Sequence, residues 1–499
     1  MTRNIVCGFL FAFSVVGAEA GLDERWPQFR GPEGRGLGSD KASLPSEFGA
    51  TKALLWKTEL PLGHGSPCIW GDRIFVTAFD DRAKKLEAIA LGRKDGKIAW
   101  RQTIQAKELE NVHEVSSPAT STPVTDGQTV YVYSGSHGVL AYDWNGKVAW
   151  DFPMDVSKSP YGSGGSPVLA GDLVVITRDY PPDPYMLALQ KKDGKLAWKA
   201  DLVKSTQIGP KTAHSTPVIL NGQIVLNRPG EVSGYSASDG RRLWWFPTAS
   251  FGTSTPSAGD GVLYVNAFSM TADPEGMVKI PPYSYALDKY DTDKDGKLSE
   301  AETPANDLYF RKRAGVPDNV PGAHFNIKLF FRGIDRNKDG FVDETEYTAV
   351  SQFGMRGVAP VATGLLSIRP AGEGALSETA LQWAEPRSVP EVTTPLEYRG
   401  RVYTVTAGGI VTCVDAKTGK VIYRGRVNAP GAYFASPVAA AGEVFVASAE
   451  GVVSVLGGGE ILEVLANNDL GEPIYGTPAP VGSALYIRSA RHLWAVGSK

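Results

Sequence analysis

Short apolar runs rich in β-branched and aromatic residues alternate with polar, glycine-bearing turns along most of this chain. Residues 393–424, TTPLEYRGRVYTVTAGGIVTCVDAKTGKVIYR, show the unit most clearly: 395–398, 401–405, 410–415 and 420–424 each read as a short strand. Arg399-Gly400, Ala407-Gly408-Gly409 and Ala416-Lys417-Thr418-Gly419 separate them, and their glycines supply the positive φ that tight hairpins need. Four strands joined this way form one antiparallel meander, which cannot bury both faces alone.

Its neighbours are elsewhere in the chain. A Ser/Thr-Pro step ahead of a β-rich run recurs at Pro67, Pro123, Pro167, Pro217, Pro256, Pro395, Pro437 and Pro478. Most intervals fall between 39 residues (Pro217 to Pro256) and 56 (Pro67 to Pro123), near the ~40–50 of four-stranded propeller blades. A turn glycine is followed four residues later by an aromatic at Gly96/Trp100, Gly146/Trp150, Gly194/Trp198, Gly240/Trp244 and Gly419/Tyr423. These aromatics belong on the outer strands, packed between adjacent blades. The eighth unit ends after three strands, and the strand 54–59, LLWKTE, precedes the first unit. An N-terminal strand completing the C-terminal blade closes the ring and removes its exposed edges. Fourfold strand grouping and this end-to-end complementarity favour a closed propeller over an open β-solenoid.

The repeats GKVAW, GKLAW and DAKTGKVIY, with their Ser/Thr-Pro openings, resemble those of the pyrroloquinoline-quinone-like (PQQ-like) β-propeller family from about residue 54 to 496. The resemblance implies an all-β, eight-bladed propeller. That family includes quinone-dependent dehydrogenases, the lipoprotein of the bacterial outer-membrane barrel-assembly machine, and secreted proteins with no assigned activity. The repeat is therefore specific for fold and weak for function.

Composition adds a compartment. Arg3 ahead of the apolar run 5–16 and the small-x-small Ala18-Glu19-Ala20 mark residues 1–20 as a secretory signal peptide, pointing to a secreted or periplasmic protein. Cys7 lies inside the apolar run rather than at a cleavage junction, which argues against a lipid anchor. Cys68 and Cys413 fall in non-adjacent units and read as separate buried thiols. Residues 21–53 form an N-terminal loop segment whose Trp26 and Phe29 are expected to pack across the ring; it resembles an N-terminal signature of secreted family members. A formal charge of −3 leaves no electrostatic footprint for nucleic acid, and the chain reads as a monomer without a transmembrane segment. In a meander, the second-to-third strand loops share a face with the links between blades. Long connections at 102–116, 152–164, 178–184 and 199–213 make that the candidate functional face.

The fifth unit is interrupted there. The propeller occupies 54–268 and 360–499, and 269–359 is an insertion in blade 5. It holds Asp291, Asp293, Asp295, Gly296, Lys297, Ser299 and Glu302, then Asp335, Asn337, Asp339, Gly340, Phe341, Asp343 and Glu346, which fit the twelve-residue EF-hand calcium loop twice. Calcium takes six to eight oxygens, here from side chains at positions 1, 3 and 5, the carbonyl of Lys297 or Phe341, Ser299 or Asp343 through water, and a bidentate glutamate. Leu298 and Val342 are expected to pair across the loops. Helices are predicted over 283–290, 305–313, 325–334 and 344–353, with Pro304 kinking or shortening the second. Two calcium ions follow, structural sites with affinities of roughly 10⁻⁴–10⁻³ M being preferred to sensors.

By resemblance, a quinone dehydrogenase carries an adjacent cysteine pair, and this chain has none, so PQQ is not expected. His64, His113 and His214 each precede a Ser/Thr-Pro step and are placed near the axis. Three imidazoles there are able to hold a metal or an anionic ligand, although capping of strand starts is the commoner use. The reading is a calcium-binding propeller acting as a binding or scaffold module for a macromolecular or small-molecule ligand on its loop face. The alternatives are a quinone- or metal-dependent oxidoreductase using His64 and His214, and an envelope protein-assembly factor, which the missing lipid-anchor cysteine weakens.

Overall fold

In the computed structural model, described over residues 24–113, 115–205, 211–268, 280–305, 307–312, 324–328, 331–351, 362–387 and 389–498, each Ser/Thr-Pro step stands immediately ahead of a blade's innermost strand. Those strands are Cys68–Trp70, Val124–Thr125, Val168–Ala170, Val218–Leu220, Ser257–Gly259, Leu396–Tyr398, Val438–Ala440 and Ala479–Val481. The position suits proline, which has no N–H to give a ladder and holds the preceding residue extended. Eight blades form the propeller. In blade 6, Leu396 faces Tyr403, Thr404 faces Thr412 and Cys413 faces Tyr423, the meander expected from its sequence. Leu54–Glu59 pairs antiparallel with His492–Gly497 and completes blade 8. The signal-peptide expectation, residues 1–20, lies outside the described residues.

Two devices join neighbouring blades. On the outside, Trp56, Trp100, Trp150, Trp198 and Trp383 lie over Gly96, Gly146, Gly194, Gly240 and Gly419 of the next blade. Each indole donates to a carbonyl three residues ahead of or near that glycine, from Trp150 Nε1 to Lys191 O at 2.7 Å to Trp100 Nε1 to Trp144 O at 3.1 Å. Trp244 departs from the expected pattern: it covers Gly234 of its own blade and donates to Gln223 Oε1 at 2.7 Å. On the inside, the N–H of seven of the eight pre-proline residues points sideways into the next blade's pre-proline hydroxyl. Ser66 donates to Thr122, Thr122 to Ser166, Ser166 to Thr216, Thr216 to Thr255, Thr394 to Ser436, Ser436 to Thr477 and Thr477 back to Ser66, at 2.9–3.1 Å. The blade 5 to blade 6 step is carried by Ser254 Oγ and Asn266 Nδ2, which reach Thr393 O at 2.9 and 2.8 Å. Between blades the filling is aliphatic and aromatic, as where Val139 and Trp150 meet Val174, Ile176 and Leu187. Each such burial stabilises by roughly 1.5–3 kcal/mol.

Blade 4 differs from the rest. Gln223–Ser236 is one bent strand with Pro229-Gly230 inside it, and the short Gly374–Ala375 joins its outer edge in parallel. Blade 5 is built from Ser257–Gly259, Val262–Ala267, Gly364–Ile368 and Leu381–Glu385, so the insertion does enter between its second and third strands.

The N-terminal segment crosses the ring. Arg25–Trp26 pairs with Ile69 and Trp70 of blade 1, Pro27 O accepts from Thr125 N in blade 2, and Leu37 bridges to Ala439 in blade 7. Trp26 is fully buried as expected, whereas Phe29 is only half-buried. The deeper plug is Arg30, whose guanidinium donates to Pro437 O (2.8 Å), Pro395 O (3.0 Å), Gly34 O and Arg35 O (both 3.1 Å). Burial lowers its pKa to about 9, so it stays charged at neutral pH.

Within the insertion, helices form at Tyr283–Tyr290 and Glu344–Ser351. The expected helix at 305–313 is not one: Tyr309–Lys312 is a strand paired with His324–Asn326, and among the described residues of 325–334 the α-helix covers Phe331–Ile334. Thr303 N–H reaches Ser299 O at 3.1 Å, completing one turn, and Pro304 has no N–H to continue it. Tyr283, Ala286, Leu298, Phe331, Val342 and Tyr347 form a small core of their own.

Candidate functional site

The loops 291–302 and 335–346 lie side by side. Leu298 pairs with Val342 and Ser299 with Phe341; Leu298 and Val342 are fully buried. Tyr283 Oη lies 3.0 Å from both the Gly296 and the Val342 carbonyl oxygens, tying the loops together. Gly296 and Gly340 turn the chain at φ 81° and 88°, where an L side chain is strained.

In the first loop the backbone wraps around inward-facing carboxylates. Gly296 N–H donates to Asp291 Oδ2 (2.9 Å), Asp295 N–H to Asp293 Oδ1 (3.1 Å) and Lys297 N–H to Asp295 Oδ1 (2.8 Å). Glu302 reaches back to the N–H groups of Thr292 (2.9 Å) and Ser299 (3.0 Å). Hydrogen bonds from Ser299 and Thr292 hold its carboxyl down at about 2, so it is ionised at neutral pH. Ligand oxygens of Asp291, Asp293 and Glu302 lie within 4.8 Å of one another, and Asp291 Oδ1 is enclosed without a hydrogen-bond partner. Like charges gathered this closely repel one another, and an all-oxygen donor set is the kind a hard cation takes.

The second loop repeats the backbone pattern, but among the described residues its carboxylates do not gather as those of the first loop do. Gly340 N–H donates to Asp335 Oδ2 (3.0 Å), Asp339 N–H to Asn337 Oδ1 (2.8 Å), Phe341 N–H to Asp339 Oδ1 (3.0 Å) and Arg336 N–H to Glu346 Oε1 (2.7 Å). Asp343 Oδ1 accepts from Glu346 N–H at 2.9 Å. Asp339 Oδ2, however, is held at 3.0 Å by Lys297 Nζ from the first loop. That contact lowers the Asp339 pKa.

The three histidines are not brought together. His64 enters blade 1 and stacks on Tyr475, ring centroids 4.0 Å apart. His214 enters blade 4, with blades 2 and 3 between them. His113 Nδ1 accepts from Val115 N–H at 3.3 Å, and Tyr161 stands between His113 (5.2 Å) and His214 (5.6 Å). Burial, helped for His64 by the Arg488 charge, lowers the pKa of His64 and His214 to about 4, so both are neutral. Among the described residues, three or more metal-type ligands gather at Asp291, Asp293 and Glu302, and no histidine is in that group.

The sequence reading missed the charged groups under the loop face. Arg228 holds Asp179 through two bonds, 2.7 and 3.1 Å, with both side chains buried. Arg178 Nε donates to Tyr133 Oη at 2.9 Å, and burial raises the pKa of the neighbouring Glu110. Cys68 and Cys413 are free and buried, as expected.

A family model described as outer membrane protein assembly factor BamB matches residues 46–224, 182–280 and 372–460, well over half of the chain. The chain belongs to this family of PQQ-like repeat propellers. No curated protein matches this PQQ-like propeller in sequence. Its fold is shared with BamB from Moraxella catarrhalis at 12% identity and a TM-score of 0.51, covering 89% of this chain and 99% of that one. A europium-containing methanol dehydrogenase aligns at 11% identity and a TM-score of 0.57, covering 95% and 98%. The quinohemoprotein alcohol dehydrogenase from Comamonas testosteroni aligns at 11% and 0.55, covering 97% and 82%. At these identities the likeness concerns fold alone. No helix among the described residues of this PQQ-like propeller is long and apolar enough to cross a membrane.

Proposed function

We propose that this PQQ-like propeller is a secreted or periplasmic calcium-binding protein that acts as a binding or scaffold module through its loop face. The convergence of Asp291, Asp293 and Glu302 around an unpartnered Asp291 oxygen carries this reading. Calcium would be held by these carboxylates with Asp295 and Ser299, and in the second loop by Asp335, Asn337, Asp339, Asp343 and Glu346. Its role is to neutralise the acidic loops and fix the insertion above blade 5. Calorimetric titration of metal-stripped mature protein tests it: two calcium events, both lost in a Glu302→Gln/Glu346→Gln double variant, are expected. Absence of calcium heat in the wild type overturns it.

A second reading, a factor in envelope protein assembly, draws on the family model's own description. Unchanged outer-membrane protein levels in a deletion strain would count against it. The oxidoreductase reading is weaker, because His64 and His214 sit in separate environments and resemblance to dehydrogenases extends only to fold.

A further inference from the structure

The loop face is uneven. Its long connections belong to blades 1 to 4 and the insertion to blade 5, whereas the second-to-third strand loops of blades 6, 7 and 8 are the short turns 407–409, 448–451 and 489–491. In this low sector three successive blade-entry links bring their rings together where the innermost strands begin. Phe434, entering blade 7, stacks on Tyr475, entering blade 8, with centroids 5.5 Å apart, and Tyr475 stacks in turn on His64, entering blade 1. Phe434 and Tyr475 are half-buried, and Phe434 lies among the small side chains of Ala407, Ala432 and Ala449.

A charge stands at the same place. Ala449 N–H donates to Ala432 O at 2.8 Å and pins the turn 448–451 against the link into blade 7. From that turn the exposed Glu450 folds over the link, its carboxylate so close above Gly431 that a Cβ there would collide with it, and Ala432 N–H donates to it. Its charge bears on both Tyr433 and Tyr475. Partial burial raises its pKa, and among the described residues no cationic side chain pairs with it. At the other end of the stack Arg488, fully buried, sets its charge near His64, so attraction for a further cation is confined to the Phe434–Glu450 end.

A carboxylate without a counter-ion beside an aromatic face suits an organic cation. A guanidinium fits better than an ammonium, because it lies flat on a ring while giving a carboxylate two parallel N–H bonds. Free small molecules are held in concave pockets, whereas this sector is open, so its occupant needs further contacts around the anchor. Arginine is a frequent anchor of that kind at protein interfaces.

We propose that this sector docks an arginine side chain of a partner polypeptide, its guanidinium stacked on Phe434 and paired with Glu450. The proposal deepens, and rests on, the reading of the loop face as the binding face. The test is a saturation-transfer NMR titration of the mature protein in millimolar calcium. The probes are acetyl-Gly-Arg-Gly-amide, the same peptide with lysine or with citrulline, the neutral analogue of arginine, and methylguanidinium. The arginine peptide should bind saturably, the lysine peptide more weakly, and the citrulline peptide at least about tenfold more weakly, as loss of a charged hydrogen bond implies. Glu450→Gln should weaken the arginine peptide about tenfold and Phe434→Leu about two- to fivefold. Glu450 is exposed and leucine keeps the contact with the alanines, so both variants hold the wild-type urea midpoint, separating lost binding from lost fold. No saturable arginine peptide, citrulline or lysine binding as well as arginine, variants that bind like wild type, or methylguanidinium binding as tightly as the peptide would each overturn the proposal. Calcium content of the same samples keeps the two readings apart: absent peptide binding with two bound calcium ions removes the arginine site alone, while peptide binding without bound calcium removes the calcium sites alone.

Discussion

The Trp150–Gly194 contact between blades 2 and 3 offers a quantitative test of how the ring is held. Trp150 is 8% exposed, packs near Tyr131 at 5.7 Å between centroids, and donates to Lys191 O at 2.7 Å. Trp150→Ala should cost about 3–5 kcal/mol, as truncation of a buried aromatic does, of which about 1 kcal/mol is the hydrogen bond. Gly194 has φ 69°, and a Cβ there would sit 2.6 Å from the indole. Gly194→Ala therefore combines about 1–2 kcal/mol of left-handed backbone strain with about 1–3 kcal/mol of overpacking. In the double variant the indole is gone, so the overpacking part disappears while the strain remains. The double variant should be less destabilised than the sum of the singles by about 1–3 kcal/mol. Urea unfolding followed by far-UV circular dichroism, at constant calcium and with unchanged m values, measures all four corners. Additivity within about 0.5 kcal/mol would show that Gly194 is not required by the indole, and the inter-blade account would fail.

Arg30→Met removes four donors and leaves the Pro395 and Pro437 carbonyls unpaired beside the axis, so a loss of about 3–5 kcal/mol is expected in the same assay, and a change within about 0.5 kcal/mol would contradict its role as a plug. His64 and His214 titrate near 4 when folded against about 6.5 unfolded. The unfolded chain therefore binds more protons between these values, and stability is full above about 6.5 and falls toward pH 4 by about 3 kcal/mol per histidine; glutamine at both positions should flatten that slope, measured as urea midpoint against pH. Lys297→Ala frees Asp339 from the cross-loop contact and should tighten calcium binding at the second loop about two- to fivefold, leaving the first unchanged by calorimetry.

The repeat was legible because its physics is local. Proline cannot give a ladder hydrogen bond, so Ser/Thr-Pro marks an innermost strand wherever it falls, and a turn glycine four residues ahead of an outer-strand tryptophan marks a docking point in the same way. The expected packing of these aromatics between adjacent blades is met at Trp100, Trp150 and Trp198, each of which lies over the turn glycine of the next blade, as Trp150 on Gly194. The hydroxyl ring was visible as the Ser or Thr before every such proline, although its sideways hydrogen bonds appear only when blades are adjacent. The pairing of the two twelve-residue loops through Leu298 and Val342 was readable for the same reason as the prolines, since each loop's spacing is contained in twelve residues. The helix expected at 305–313 failed because apolar spacing outweighed Pro304. Arg30, Asp179 with Arg228, and Glu110 with Ser163 left no periodic signal, being partners joined across tens or hundreds of residues by closure of the ring. The histidines are a limiting case: because their blades are not all neighbours, capping of strand starts is the commoner use, and the structure sets His64 on Tyr475 while His113 and His214 flank Tyr161.

The most direct test of the calcium reading is the metal content of purified mature protein after equilibrium dialysis at millimolar calcium, measured by elemental analysis for wild type, Glu302→Gln, Glu346→Gln and the double variant. The account predicts two bound calcium ions in the wild type, one in each single variant and none in the double. A wild-type count near zero, or a count that the two glutamate substitutions leave unchanged, would contradict it.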